Sequence, residues 1–197
     1  MKRKFLLILS VMFCCLTMTA FAACGDDGDD SVAAGTPGEA TIVAFLPKTL
    51  SPYFNIEVTY YDAQGNAKSF TVRDGESSDD LPSYSKESIL QLSLFSGVTL
   101  NESKCIVRTI KFALPANKKV ACKYRLVRTI EEPKAVPSDN KVYAPFAVAT
   151  GKRPNSEVLP ILNSQVIGSM TITSLEEFKA FLLQYDGKEA ETYIMID

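Results

Sequence analysis

The amino-acid sequence contains neither histidine nor tryptophan among its 197 residues, and each absence restricts the functions open to it. Histidine is the side chain that most often serves as a general base near neutral pH and as a metal ligand. The commonest catalytic and metal-binding arrangements are therefore excluded. Tryptophan is the best aromatic platform for a sugar ring, so any such platform in this protein has to be built from tyrosine.

The sequence also lacks the short motifs of common enzyme families. It has no G-x-S-x-G elbow, no phosphate-binding loop and no dinucleotide fingerprint. Residues 83–86 read S-x-x-K and residues 138–140 read S-D-N, as in penicillin-recognising serine enzymes, but the third element, K-T-G, is missing. Ser83 follows Pro82 in a stretch predicted to be a polar loop, and the chain is too short for that fold. We interpret the match as coincidence.

A small group of carboxylates is the remaining candidate for chemistry. Glu76, Asp79 and Asp80 lie close together in the sequence, and a glycosidase needs only two carboxylates at a suitable separation. A solvated acidic loop is the commoner origin of such a cluster. With only Cys105 and Cys122 beyond the N-terminal region, a cysteine-rich zinc site is also excluded. The sequence therefore predicts a protein that is not an enzyme, with no metal and no cofactor.

The N-terminal region has the layout of a secretory signal. Residues 2–4 are basic, and residues 5–16 are apolar but too few to span a bilayer, which needs about 20 residues. Residues 21–24, Phe-Ala-Ala-Cys, resemble the lipobox of bacterial lipoproteins. Phe21 stands where the family usually has leucine, as in the looser pattern of Bacteroidetes lipoproteins. The resemblance implies that Cys24 is acylated, becomes the mature N-terminus and anchors the protein to a membrane.

The aspartates that follow Cys24 bear on where the protein is displayed. The run at positions 26, 27, 29 and 30 resembles the export signal of Bacteroidetes surface-exposed lipoproteins. That resemblance implies an outer-membrane lipoprotein exposed on the cell surface. Four aspartates would also keep a tether solvated and disordered without acting as a signal. They lack the alternating ligand spacing of a calcium loop, so no calcium site is predicted.

The rest of the chain is predicted to hold one globular domain. We assign residues 1–23 to the signal peptide, residues 24–39 to an acidic flexible tether, and residues 40–197 to a single β-rich domain. Removal of the signal takes away three of the 21 basic residues and none of the 23 acidic ones, which leaves a net charge of −5. This balance does not favour nucleic acid as a partner.

Alternating apolar and polar residues predict strands along most of this domain. Residues 54–60 and 68–73 flank a turn rich in Asp, Gly and Asn, and they form the clearest hairpin. Residues 105–112 and 120–130 are predicted to form a second, longer hairpin around Pro115. Shorter strands, the later ones interrupted by prolines, are predicted at residues 41–45, 89–95, 143–149, 164–173 and 192–196.

One helix is predicted near the end of the domain. Ser174 and Glu177 have the spacing of a capping box, and Gly187 stops the helix. Many short strands with one terminal helix predict a mainly β fold. We expect an antiparallel β-sandwich, Ig-like in general architecture, with one C-terminal amphipathic helix. Its apolar stripe consists of Leu175, Phe178, Phe181, Leu182 and Tyr185.

Basic residues concentrate between Ser103 and Ile130, with no acidic residue among them. The commoner explanation is the wet face of a two-faced antiparallel hairpin. The alternative is a patch for an anionic glycan or lipopolysaccharide, where arginine forks grip phosphate or carboxylate. Tyrosines near strand ends add aromatic surface, although half-buried strand positions are their commoner use. The candidate ligand-binding residues are Arg108, Lys123, Arg125, Arg128, Tyr60 and Tyr61.

Two functions of different class are compatible with these features. The first is a surface-anchored accessory lipoprotein whose β-sandwich binds a glycan or an outer-membrane partner protein. The second is a structural component of a cell-surface or pilus-like assembly. A concave face with exposed tyrosine and arginine would favour binding, whereas a long unpaired edge strand would favour assembly.

The two cysteines of the domain are predicted to be free. An oxidising compartment makes a disulfide the default expectation for a pair of cysteines. If the second hairpin turns near Ala116, Cys105 faces Arg128. Cys122 then faces Lys111, an offset that separates the two sulfurs by roughly 20 Å. A disulfide needs Cα atoms within about 7 Å, so we predict two free thiols, with Cys122 buried as a small apolar residue.

Overall fold

The structure of the protein is a computed structural model, which describes residues 36–96, 102–138, 140–161 and 169–195. Cys24, the aspartate run and most of the predicted tether lie outside the described residues. The first strand begins at Gly38, two residues before the predicted domain boundary. The strands are β1 Gly38–Pro47, β2 Phe54–Tyr61, β3 Ala67–Val72, β4 Cys105–Leu114, β5 Lys119–Arg128, β6 Lys141–Tyr143, β7 Phe146–Lys152, β8 Val158–Leu159, β9 Ser169–Thr171 and β10 Glu189–Met195, and the helices are α1 Ser83–Ser96 and α2 Leu175–Tyr185.

The described strands form two four-stranded sheets and one pair. Sheet 1 has the order β4-β1-β7-β8, sheet 2 has the order β10-β5-β2-β3, and β6 pairs with β9. Every pairing is antiparallel. Side chains of the two large sheets meet between them: the Tyr60 ring in β2 stacks on Phe112 in β4, with 5.6 Å between ring centroids. The fold is mainly β and antiparallel, which is consistent with the predicted β-sandwich.

Strand β1 lies inside sheet 1 and is buried on both faces. One face looks towards sheet 2, because Gly151 in the neighbouring strand β7 lies against Ile194 in β10. The other face is covered by α1, where the hydroxyls of Thr41 and Tyr84 are hydrogen-bonded. This double cover explains why β1 is a continuous apolar run and not an alternating one.

Helix α1 occupies a segment for which the sequence predicts a polar loop and then a strand at residues 89–95, and both predictions are wrong there. The helix begins at Ser83. Leu90, which belongs to the alternating leucines, is 61% exposed. The buried face instead contains Ser85, Ser88 and Ile89, which recur at helical spacing. Because two of these three residues are small and polar, the apolar pattern did not reveal the helical period.

The first predicted hairpin is confirmed, and the second is wrong. Strands β2 and β3 pair directly. Strands β4 and β5 belong to different sheets, since β4 pairs with β1 whereas β5 lies between β2 and β10. The connection at residues 115–118 carries the chain from sheet 1 to sheet 2, with Asn117 at a left-handed φ of 57°. Proline and asparagine favour a turn in either case, so they do not distinguish a hairpin from a crossover.

Both cysteines of the domain are unbridged and buried, which confirms the prediction of free thiols. The register on which that prediction rested is wrong. Cys105 pairs with Pro47 in sheet 1, whereas Cys122 lies between Tyr60 and Thr192 in sheet 2. Burial raises the pKa of Cys105 to about 11 and that of Cys122 to about 12, so both thiols are protonated at neutral pH.

Helix α2 begins at the predicted cap. The Glu177 N–H donates to the Ser174 hydroxyl over 3.2 Å, and the Ser174 N–H donates to the Glu177 carboxylate over 3.2 Å. The hydroxyl and N–H of Thr173 donate to the same carboxylate and hold the pKa of Glu177 below its usual value. The buried side chains of α2 are Phe178, Phe181, Leu182 and Tyr185.

Within the described residues, no helix is long and apolar enough to cross a membrane.

The shorter predicted strands are found with shifted ends. The strand predicted at residues 41–45 is the middle of β1, and the one predicted at residues 192–196 overlaps β10. The strand predicted at residues 143–149 is divided between β6 and β7, which belong to different sheets. Strand β9 covers part of the segment predicted at residues 164–173, whose first five residues lie outside the described residues.

Candidate functional site

A cleft of about 790 Å³ opens at one end of the domain. Four segments that are distant in sequence line it: the β1–β2 connection, residues 73–74 after β3, residues 129–138 after β5, and Phe178 of α2. Loops held by a rigid sheet scaffold are where binding residues most often lie. The volume falls within the range of small-molecule sites, about 300–1,000 Å³.

The cleft lies opposite the end at which the chain enters the sheets. Strand β1 starts at Gly38 and leaves at Pro47, after which the chain passes directly into the connection that lines the cleft. In sheet 2 the same end is marked by the pairing of Phe54 with Arg128. A strand of ten residues spans about 30 Å. We call these two ends of the domain the tether end and the cleft end.

Hydrogen bonds between the connections fix the shape of the cleft. The Thr129 hydroxyl donates to the Pro52 carbonyl over 2.6 Å, and the Thr129 N–H donates to the Tyr53 carbonyl over 3.0 Å. The buried Ser51 hydroxyl donates to Asp74, which ties the residues after β3 to the β1–β2 connection. The walls are therefore linked to one another, and binding requires little ordering of loops.

Arg128, one of the candidate ligand-binding residues, holds the wall of the cleft. It is in phase with the buried residues of β5, and its side chain is only 13% exposed. Its Nη2 donates to the Glu131 carbonyl over 3.2 Å and to the Glu132 carboxylate over 3.1 Å. The Asp186 carboxylate accepts a hydrogen bond from the backbone N–H of Arg128 over 3.2 Å. This guanidinium anchors residues 129–138 and is not displayed to a ligand.

The charged groups that remain open in the cleft are of both signs. Among the described residues, Arg73 and Lys134 form no ion pair, and the Glu131 carboxylate accepts no hydrogen bond. Asp74 accepts the Ser51 hydroxyl through one of its two carboxylate oxygens, Oδ1. Glu132 is already paired with Arg128. Two cations without an ion pair thus share the cleft with two carboxylates, Glu131 and the half-engaged Asp74, that form no ion pair, which makes the site electrically balanced.

An apolar surface complements these polar groups. The half-buried Tyr53 ring meets Phe178 edge to face, with 5.4 Å between centroids. Val136 and Pro137 are also half-buried and line the same cleft. Asn55 contributes an amide at the start of β2. A concave surface with a few polar groups around apolar side chains is the usual composition of a ligand site.

Three of the candidate ligand-binding residues lie on the solvent-facing side of sheet 2. Lys123 and Arg125 project from β5, and Tyr61, which is 51% exposed, lies at the end of β2. Both cations are matched by β10: Lys123 Nζ lies 3.8 Å from Glu191, and Arg125 Nε lies 3.9 Å from Glu189. This agrees with the wet-face interpretation, and the cations form no unpaired basic patch.

The other two candidates lie elsewhere. Arg108 belongs to sheet 1, where it lies 3.4 Å from Asp79 and 3.8 Å from Glu76. Asp79 also accepts the Thr109 N–H over 2.8 Å, so the acidic cluster binds the edge of β4. The Tyr60 ring packs on the core, and its burial raises the pKa of the phenol. The six candidates are therefore dispersed, because β4 and β5 belong to different sheets.

The sequence did not predict the residues that line the cleft. In the stretch that contains residues 131–138 it predicted only that prolines shorten or interrupt the strands. One signal was present: three charged residues lie among two prolines directly after the longest strand of sheet 2. Prolines reduce the conformational freedom of a loop, as a preformed site requires. Tyr53 is one of the tyrosines near strand ends that suggested aromatic surface, whereas the contributions of Ser51 and Arg73 depend on tertiary contacts and have no such signal.

In the described part of the chain, no three His, Cys, Asp or Glu side chains are placed to hold a metal ion. Neither protein-family models, nor curated proteins, nor solved structures match the sequence. Function therefore has to be inferred from the chemistry of the cleft.

Proposed function

We propose that this protein is a surface-anchored accessory lipoprotein whose β-rich domain binds a glycan or an outer-membrane partner through the cleft, without catalysis. The observation that carries this proposal is the position of the cleft at the end opposite to Gly38. A membrane anchor on Cys24 would connect to the tether end. The cleft would then lie about 30 Å from the point at which the tether joins β1.

The anchor and the surface location can be tested on intact cells. Acylation of Cys24 predicts that Cys24→Ala releases the protein into the soluble fraction. Surface exposure predicts that added protease removes the wild-type protein. Replacing the aspartates at positions 26, 27, 29 and 30 with alanine should then leave the protein facing the periplasm. Unchanged protease sensitivity in that variant would refute the export role of the aspartates.

Binding through the cleft can be tested by photo-cross-linking on the same cells. A photoreactive amino acid replaces Thr49, an exposed residue that lines the cleft. The matched control places it at Ala67, which is exposed in β3 at the tether end. We expect adducts from position 49 and none above background from position 67. Equal labelling from both positions would refute binding at the cleft.

A structural role in a surface assembly is the second candidate, and the open edge of sheet 2 favours it. Among the strands that the structure describes, β10 has one partner in that sheet, β5. Leu126 of β5 bonds to Gly187 and Lys188, so the backbone groups of alternate residues from Glu189 onwards point away from β5. An unpaired edge of this kind can accept a strand from another chain.

Proline at this edge would separate the two functions. Glu191→Pro removes an outward N–H, whereas Glu191→Ala removes only the carboxylate and serves as the control. An assembly component should lose incorporation into surface polymers in the proline variant alone. A binding module should retain its cross-link from position 49 in both variants.

We also propose the finer architecture. Two facing antiparallel sheets, with repeated crossing of the chain between them, support an Ig-like sandwich in general architecture. Helix α2 would act as its C-terminal cap, since Phe178 closes one wall of the cleft. Backbone chemical shifts and residual dipolar couplings of the purified domain would test this arrangement.

A further inference from the structure

We propose that the cleft selects an uncharged oligosaccharide over acidic or basic ligands, an inference that rests on the proposed binding function. Its basis is the balance of open charges described above. Arg73 and Lys134 offer N–H donors, whereas Asp74 and Glu131 offer carboxylate acceptors. The balance is a property of the described residues and does not depend on any bound molecule.

Hydroxyl groups suit this mixture better than charged groups do. Each hydroxyl can donate one hydrogen bond and accept others, so a row of hydroxyls can satisfy both kinds of side chain. A ligand carboxylate or sulfate would bind Arg73 or Lys134 but would also lie near Asp74 and Glu131. A ligand ammonium would meet the reverse problem. Juxtaposed like charges oppose binding strongly, so a balanced cleft discriminates against both ligand classes.

The apolar wall fits the other half of a sugar. A pyranose ring presents C–H groups on its faces and hydroxyls on its edges. Tyr53, held against Phe178, offers a surface for such a face, and Val136 and Pro137 add apolar lining to the same cleft. The polar side chains line the same cleft, so one ring can contact both kinds of surface. The volume of about 790 Å³ leaves room for more than one sugar ring.

The solvent-facing side of sheet 2 does not compete for this role. A second depression of about 590 Å³ lies on that side, but the two cations in its lining, Lys123 and Arg125, are paired with Glu191 and Glu189. Arg125 on that side is therefore a matched control for Arg73 in the cleft. Both are exposed arginines, but only Arg73 lines the proposed site.

The experiment uses the full mature chain, purified with its anchor in detergent. Immobilised probes are uncharged hexose oligosaccharides, the same backbones bearing uronate or sulfate, and acidic and basic peptides. We expect binding to uncharged probes that is weakened about 10-fold or more by uronate or sulfate. Binding should change little between low and high salt. Arg73→Ala and Glu131→Ala should each reduce binding about 10-fold, whereas Arg125→Ala should not.

A charge reversal makes the test sharper. Glu131→Lys leaves the cleft with three open cations and one open carboxylate, so it should shift preference towards the probes that carry uronate or sulfate. Wild-type preference for an acidic probe or a peptide, with loss in Arg73→Ala, would overturn the ligand class and leave binding at the cleft intact. Binding to no probe, or equal binding by Arg73→Ala and wild type, would also overturn this inference. The cross-linking experiment decides separately whether the cleft binds anything.

Discussion

Gly151 in β7 offers a direct test of how the two sheets pack. A Cβ at this position would lie 2.5 Å from Ile194 Cδ1 and 2.8 Å from Leu159 Cδ1. It would also lie 3.2 Å from the Glu39 carbonyl oxygen. Both contacted side chains are buried, so neither can swing into solvent. Gly151→Ala therefore forces two core side chains away from their preferred positions.

The magnitude follows from two opposing effects. Moving a side chain about 30° from its rotamer costs roughly 0.5–1.5 kcal/mol, so two such shifts cost about 1–3 kcal/mol. Replacing glycine by alanine within a strand returns about 0.5–1 kcal/mol, because the unfolded chain loses freedom. We expect Gly151→Ala to lower the free energy of unfolding by up to about 2.5 kcal/mol. The midpoint of thermal unfolding should fall by up to about 10 °C.

A double-mutant cycle with Ile194→Val supplies the assay. The valine removes Cδ1, the nearest atom to the added methyl group, and by itself costs about 0.5–1.5 kcal/mol. In this background Gly151→Ala should cost about 1 kcal/mol less than in the wild type, as measured by urea unfolding with circular dichroism. An equal cost in both backgrounds would mean that β7 and β10 do not meet at this point, and the facing of the two sheets would be wrong.

Four further predictions follow from individual side chains. Because burial keeps both thiols protonated, Cys105 and Cys122 should resist thiol reagents in the native protein and react after unfolding. The mass of the unreduced protein should show no disulfide between them. Ser174→Ala should cost about 1 kcal/mol in urea unfolding through loss of the cap. The hydrogen bonds that lower the pKa of Glu177 stabilise the fold at pH values above the pKa of a free glutamate. This stabilisation is lost as the pH falls through the lowered pKa of Glu177 in the folded protein, so wild type and Glu177→Gln should converge in stability in acid. Arg128→Met should increase hydrogen exchange in residues 129–138 while the sheets stay protected, and uniform protection would contradict its anchoring role.

Local chemistry predicted the elements that depend on near neighbours. The capping box at Ser174 and Glu177 acts within one turn of helix, so four residues suffice to predict it. The β2–β3 hairpin is closed by a short turn, and its alternation continues on both sides. In both cases the interacting residues are adjacent in the chain. Prediction then needs no knowledge of the remaining fold.

Elements that depend on distant partners were predicted less well. Helix α1 buries Ser85 and Ser88 against sheet 1, where Thr150 lies 2.7 Å from the Ser85 hydroxyl. Such polar contacts substitute for the apolar stripe that sequence patterns detect. The β4–β5 crossover depends on which strands β1 and β2 accept as partners. That choice is made across the whole domain and is not encoded in residues 115–118.

Strand phase explains why two of the predicted ligand-binding residues, Arg125 and Arg128, do not share a face of sheet 2. Arg125 and Arg128 are three positions apart on β5, so they project to opposite sides of the strand. Arg125 faces solvent beside Glu189, whereas Arg128 turns inwards and grips the cleft wall. A count of basic residues treats the two as equivalent. Strand phase separates Arg128 from the exposed cations. Its position as the last residue of β5, shortly before Pro133 and Pro137, places it at the end of the domain where the cleft lies.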